Sequence, residues 1–137
     1  MKSVAVFVCV ALAACATEPV TDLHAKFVQG QKVLDRSFVD GSRGKAAIVV
    51  KRDSGLLGSG CSATVLIGGN RVALLDPGEA VMLQLPEGDF VVGAANNGGL
   101  CGSQIAEVKV AARNASLTKV RIGYGASMAF TISETAY

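Results

Sequence analysis

Residues 63–76 read ATVLIGGNRVALLD, two short apolar runs on either side of a glycine-rich turn. The turn, Gly68-Gly69-Asn70, suits a tight hairpin because glycine and asparagine tolerate a positive φ. Short apolar runs that end at such turns are typical of β-strands. The stretch therefore predicts a β-hairpin made of Ala63–Ile67 and Arg71–Asp76.

The same pattern extends outward from the hairpin in both directions. Short apolar runs recur, separated by turns such as Asp76-Pro77-Gly78-Glu79 and Pro86-Glu87-Gly88-Asp89. In several runs apolar and polar residues alternate, which gives a strand one buried and one solvated face. No stretch after Gly44 has a convincing helical period. The other predicted strands are Ala46–Arg52, Ala80–Leu85, Asp89–Ala95, Ile105–Ala112, Ser116–Tyr124 and Met128–Ser133.

Strands at roughly ten-residue spacing indicate an all-β domain, either an antiparallel β-sandwich or a small barrel. We expect the sandwich, with about 7–8 short strands. A chain of 137 residues fits one domain. With 18% charged residues, a net charge of +2 and no Trp, the composition excludes a disordered chain and argues against a polybasic or base-stacking protein. No nucleic-acid partner is expected.

The N-terminus has the layout of a secretory signal peptide. Lys2 supplies a positive charge, and Val4–Ala14 is an unbroken apolar run followed by small residues. The run is shorter than the about 20 residues that span a bilayer. The alternative interpretation of the same run is a buried core helix.

The apolar run ends in Leu12-Ala13-Ala14-Cys15, which resembles the lipobox of bacterial lipoproteins. The resemblance implies a signal peptide at residues 1–14, cleavage before Cys15, and lipidation of the thiol and new amino group of Cys15. Ala16 stands where an aspartate tends to retain such proteins in the inner membrane, so we expect the bacterial outer membrane, at its periplasmic face or at the cell surface. Cleavage slightly later, giving a free secreted protein, is the alternative.

The remaining cysteines predict a disulfide. Cys9 lies in the signal peptide and Cys15 is the expected lipidation site, which leaves Cys61 and Cys101. An even number of cysteines in an oxidising compartment favours pairing. Two cysteines without a nearby histidine cannot complete a tetrahedral zinc site, so no metal and no cofactor is expected.

Residues 15–44 are expected to form a tether and lead-in segment before a β-sandwich domain at residues 45–137. Thr21 or Asp22 could begin a short helix that ends near Gln29. The favoured alternative for residues 16–30 is a flexible tether that holds the domain away from the membrane, and residues 31–44 are expected to lead into the domain.

Two stretches, VLIGGNRVA at residues 65–73 and LPEGDFVV at residues 85–92, resemble the PEGA-type surface β-domain. They are also similar to a group of uncharacterised bacterial lipoproteins with that plan. The sequence departs from the pattern at Gly68, where an aspartate is usual, and at Ala73, where a second glycine often stands. The resemblance covers about residues 45–135 and implies a β-sandwich without known catalytic residues.

One loop is a candidate partner site. Asn96-Asn97-Gly98-Gly99-Leu100 is the longest polar loop of the strand-rich region, and loops on rigid β scaffolds often carry recognition. A disulfide at Cys101 would join it to the Gly55–Gly60 loop at one end of the sandwich. The alternative is a purely structural loop held by the disulfide.

These observations predict a non-enzymatic interaction or accessory module, attached to the membrane by its lipid, whose partner is an envelope or host protein. The only histidine is His24, and no Ser/His/Asp arrangement can be assembled, so no catalytic residue is assigned. One alternative is an envelope enzyme, or an inhibitor of one, that uses carboxylates in turns. Another is a small-ligand carrier with a cavity inside the sandwich. The candidate turn carboxylates are Asp76, Glu79, Glu87 and Asp89.

Overall fold

The computed structural model describes residues 17–56, 58–125 and 129–136, so the predicted signal peptide and Cys15 lie outside the described residues. Two sheets form the fold, which confirms the predicted all-β sandwich. Short 3-10 helices occur at Gly30–Lys32, Arg36–Phe38 and Gly99–Cys101. The strands of the described part are β1 Lys26–Phe27, β2 Ala46–Arg52, β3 Ala63–Ile67, β4 Asn70–Leu75, β5 Glu79–Leu85, β6 Gly88–Asn96, β7 Ile105–Ala112, β8 Thr118–Tyr124 and β9 Phe130–Glu134.

The predicted strands match the structure closely. β2, β3 and β7 have the predicted bounds, and β4, β5, β6 and β8 differ by one or two residues at their ends. The predicted start of the last strand, Met128, lies outside the described residues. β1 was not predicted, because two residues are too few to show an alternating pattern.

The sheets differ in the direction of their strands. The four-stranded sheet, in the order β4-β3-β6-β7, is antiparallel as predicted. The five-stranded sheet, in the order β1-β5-β2-β8-β9, is mixed, which corrects the expectation of an antiparallel fold throughout. In it β2 runs parallel to β8, and β1 runs parallel to β5. β2 and β8 are not joined by a hairpin. Five of the described strands lie between them in the chain, four in the opposite sheet and β5 in their own, and so long a connection allows the two strands to run parallel.

The core lies between the two sheets and follows from the two-residue period of the strands. Alternate side chains of β2, β5 and β8 point at the opposite sheet, whose own inward side chains meet them. The side chains between the sheets are almost completely removed from water. They include Ile48, Val50, Val65, Val72, Leu75, Val81, Leu83, Val92, Val110, Val120 and Ile122.

The described part of the expected tether, residues 17–30, packs against the sandwich, which corrects the expectation of a flexible tether there. Thr17 and Val20 are buried. Glu18 and Ser54 exchange two backbone hydrogen bonds, of 2.9 and 3.0 Å. Because the segment finds sheet-edge partners for its backbone and a core for its apolar side chains, it is ordered without a strong periodic pattern of its own.

Side-chain contacts hold the same segment farther along. The carboxylate of Asp22 accepts hydrogen bonds from Lys51 at 2.8 Å and from Lys119 at 2.5 Å, on neighbouring strands. β1 adds a short parallel edge to β5, so the alternative of a helix from Thr21 or Asp22 to Gln29 is wrong. Phe38 then enters the core.

Phe38→Ala should lower the free energy of unfolding by about 3–5 kcal/mol, because it empties a site that is only 3% exposed. Urea unfolding followed by circular dichroism measures this change. Leu23→Ala is the control in the same segment: Leu23 is 93% exposed, and its truncation should change stability by less than about 0.5 kcal/mol. Equally small effects for both variants would contradict the packing of this segment on the core.

Candidate functional site

Most of the buried polar side chains and the disulfide bond lie at one end of the sandwich. Since β2 and β8 are parallel, their last residues, Arg52 and Tyr124, lie at the same end. The loop over residues 53–62 and the loop over residues 97–104 meet there, and Cys61 bonds to Cys101 between them. We call this region the disulfide end.

The disulfide forms between the two predicted cysteines, with their Cα atoms 5.7 Å apart. It brings the predicted partner loop and the Gly55–Gly60 loop together, as the sequence indicated. Gly98 and Gly102 adopt positive φ values of 79° and 76°, which lets the loop reverse on both sides of a single 3-10 turn. The bonded loops therefore form one continuous surface.

Arg52 holds the first of these loops from inside the protein. Its side chain is 1% exposed. Nη1 donates to the carbonyl of Leu75 at 2.7 Å and to the carbonyl of Cys61, and Nη2 donates to the carbonyl of Gly58 at 2.7 Å. Burial lowers the pKa of Arg52. The guanidinium thus fixes the loop backbone at several points.

Tyr124 closes the space beside Arg52. Its ring centroid lies 5.3 Å from the guanidinium carbon, within the range of a cation–π contact. A side chain at Gly58 would place its Cβ 2.7 Å from the ring, so this close approach requires glycine, whose φ is +65°. Burial raises the pKa of Tyr124. Gly58 and the ring of Tyr124 are therefore in direct contact, with no room between them for a side chain.

The predicted partner loop is less free than its sequence indicated. Asn96 accepts a hydrogen bond from the Tyr124 hydroxyl at 2.8 Å, and Asn97 accepts one from the Thr64 hydroxyl. Gly98 is half-buried. Asn97 is exposed, and Leu100 is fully exposed. On the neighbouring loop Leu56 is 92% exposed.

Thr17, the first described residue, is fastened to the same end. Its hydroxyl lies 2.9 Å from Oδ2 of Asp53, to which it donates, and accepts from the backbone N–H of Tyr124 at 3.0 Å. Asp53 is buried and pairs with Arg121, whose Nη2 lies 2.6 Å from Oδ2. The start of the described chain is therefore held in place beside the two loops.

Two of the candidate turn carboxylates have structural partners. Nζ of Lys32 lies 2.6 Å from Asp76 and 2.6 Å from Glu79, and Ser62 donates to Asp76 at 2.6 Å. The hydrogen bonds from Lys32 and then from Ser62 lower the pKa of Asp76. The same carboxylates raise the pKa of Lys32. This cluster connects the N-terminal segment to the turn between β4 and β5.

The other two carboxylates lie at the opposite end, so the four acids do not come together. Glu87 accepts from the backbone N–H of Asn114 at 2.8 Å, and Asp89 pairs with Arg113 at 3.1 Å. His24 is exposed and bonds to Thr21 at 2.8 Å. Within residues 17–56, 58–125 and 129–136, no group of three or more His, Cys, Asp or Glu side chains is arranged to hold a metal ion.

A surface groove of about 470 Å³ lies along the β5 edge. The N-terminal segment contributes Phe27 and Val33 to its wall, and β5 contributes Met82. The small-ligand hypothesis expects a cavity between the sheets, whereas this groove is open at an edge. Of the helices in the described ranges, none has the length and apolar character needed to cross a membrane.

Sequence reasoning missed Arg52, Thr17 and Lys32. Arg52 carried a signal, since it occupies the inward position after Ile48 and Val50 in the alternating pattern of β2. Thr17 and Lys32 carried none, because their partners are distant in the sequence.

Comparisons of the chain with protein-family models, with curated proteins and with solved structures found no match. The resemblances to the lipobox and to the PEGA-type domain therefore stay predictions.

Lys32→Met should lower stability at neutral pH, with a difference from wild type that shrinks as the pH falls below about 4. The pKa of Asp76 lies below its ordinary value of 3.8. The stability that its charged form adds is therefore complete above pH 3.8 and is lost as the pH falls through the lowered pKa. The pKa of Lys32 lies above its ordinary value of 10.5. The stability that its charged form adds is therefore complete below pH 10.5 and is lost as the pH rises through the raised pKa.

Urea unfolding between acid and neutral pH measures this dependence. Lys109→Met is the control, since Lys109 is an exposed lysine with a partner 4.0 Å away. Its free energy of unfolding should differ from that of the wild type by the same amount at every pH. A constant difference between Lys32→Met and the wild type at every pH would contradict the coupling of Lys32 to Asp76.

Replacing both Cys61 and Cys101 by serine should lower the free energy of unfolding by roughly 4 kcal/mol, because the bond spans 40 residues and restricts the unfolded chain. Denaturant unfolding under oxidising conditions measures the loss. Ser59→Ala, an exposed change in the same loop, should have little effect. A double variant as stable as the wild type would show that the bond does not contribute to stability.

Proposed function

We propose that the chain is a lipid-anchored protein of the bacterial outer membrane that acts as a non-enzymatic interaction or accessory module of the envelope. The observation that carries the proposal is Leu12-Ala13-Ala14-Cys15 at the end of the apolar run Val4–Ala14. Only a cysteine at that position supplies a thiol for thioether formation. Acyl chains on Cys15 would hold the domain at a bilayer without a spanning helix.

Two structural observations support this proposal. Thr17, two residues after Cys15, is already bonded to Asp53 and Tyr124, so the domain would lie close to the proposed anchor. The Cys61–Cys101 disulfide suits an oxidising, exported location. The disulfide is independent of the lipobox motif.

The disulfide end is the best candidate for the contact surface of the module. It presents Leu56 and Leu100 to solvent on loops that Arg52 and the disulfide hold in place. The enzyme and inhibitor alternatives have less support, because Asp76 and Glu79 are bound to Lys32 and the other two acids lie at the opposite end. The carrier alternative expects a cavity between the sheets, whereas the groove along β5 is open to solvent.

Labelling with a radioactive fatty acid, followed by membrane fractionation and intact-mass measurement, tests the anchor. Expressed in a Gram-negative host, the wild type should incorporate label and fractionate with the outer membrane. Cys15→Ala should lose both properties. Cys9→Ala, an equal change within the proposed signal peptide, should retain both. An unlabelled wild-type protein whose mature N-terminus lies elsewhere would refute the proposal.

A further inference from the structure

We propose that the disulfide end docks on the lipid bilayer, with Leu56 and Leu100 inserted into its interfacial layer. The inference rests on the proposed function, because it requires an acylated Cys15. It names the partner of the contact surface described above: the membrane surface itself. Three observations lead to it, namely the position of Thr17, the exposure of the two leucines, and the rigidity of their loops.

The first observation concerns reach. A chain extends by at most about 3.6 Å per residue, so the Cα atoms of Cys15 and Thr17 are separated by no more than about 7 Å. Thr17 is held by hydrogen bonds to Asp53 and Tyr124. An acylated Cys15 therefore brings the bilayer within one or two residue lengths of the disulfide end, and leaves little chain with which the domain could move away.

The second observation is the pair of exposed leucines. Leu56 follows Gly55, which packs on Thr17: a Cβ added at Gly55 would lie 3.4 Å from the Thr17 Cα. Leu100 adjoins the disulfide at Cys101. Both side chains face water. Transfer of such side chains from water into the boundary of headgroups and acyl chains is favourable.

The third observation is that the loops cannot retract independently. The disulfide joins them, and the buried guanidinium of Arg52 binds the carbonyls of Gly58 and Cys61. Beneath them Asp53 and Arg121 neutralise one another. The two leucines therefore lie on loops that are joined to each other, and docking does not require the dehydration of an isolated charge at Asp53.

The size of the apolar surface favours a bilayer over a protein. Stable protein interfaces bury at least about 1,200 Å² in total, far more than two leucines on glycine-rich loops can supply. A covalent anchor already keeps the domain at the membrane, so a second contact there is effectively intramolecular and needs little surface of its own. Two side chains are enough to set the orientation of the domain.

Tryptophan fluorescence tests the orientation. The chain contains no Trp, so Leu56→Trp and Leu100→Trp each introduce a sole reporter. Leu117→Trp is the control, because Leu117 precedes β8 and lies about 20 Å along the strands from Tyr124. Each lipidated full-length variant is reconstituted into phosphatidylcholine–phosphatidylglycerol vesicles with plain or brominated acyl chains.

We expect brominated lipids to quench Trp at positions 56 and 100 severalfold more strongly than at position 117, with a blue-shifted emission at the first two positions. Circular dichroism checks that each variant is folded. Equal quenching at all three positions, or stronger quenching at position 117, overturns the inference.

The outcomes separate the inference from the proposed function. Intact mass and flotation of the vesicles report acylation and anchoring before any fluorescence is read. A protein that is not acylated and does not float removes the proposed function, and the inference with it. A protein that is acylated and floats but shows no preferential quenching at positions 56 and 100 removes only the inference.

Discussion

The buried guanidinium of Arg52 is the interaction on which the disulfide end depends. Removing an ion from water costs several kcal/mol, and the protein offsets this cost with charge-assisted hydrogen bonds and the face of Tyr124. The acceptors are backbone carbonyls of Gly58, Cys61 and Leu75, while Nε has no partner among the described residues. Because two of the acceptors, the carbonyls of Gly58 and Cys61, belong to the loop itself, the loop cannot leave without removing partners from a buried charge.

The parallel pairing of β2 and β8 makes this arrangement possible. In an antiparallel pair the ends of the two strands would lie at opposite ends of the sheet. Here Asp53, which follows β2, lies beside Tyr124, the last residue of β8, and Thr17 bonds to both. One topological feature thus places the start of the described chain, the buried cation and the disulfide at a single end. This is the geometry from which the proposed orientation on a bilayer follows.

Local patterns predicted much of the fold, and the reasons for the failures are physical. β2, β3 and β7 were predicted to the residue because each alternates or ends at a turn within a few positions. The pairing of Cys61 with Cys101 followed from counting. The tether expected at residues 17–30 was misjudged, because Thr17 and Asp22 acquire their roles from partners many positions away. The candidate loop stays a prediction: Asn96 belongs to β6, and the bonds made by Asn96 and Asn97 were not foreseen.

The sequence by itself determined the strands, the turns between them and the cysteine pair, because side-chain periodicity and turn chemistry act over a few residues. Only the tertiary structure decided which strands share a sheet, that β2 and β8 run parallel, and that the N-terminal segment packs on the domain. Those features depend on how the apolar faces of all the strands are buried against one another. A pattern read along the chain does not contain that information, because the contacting residues are far apart in it.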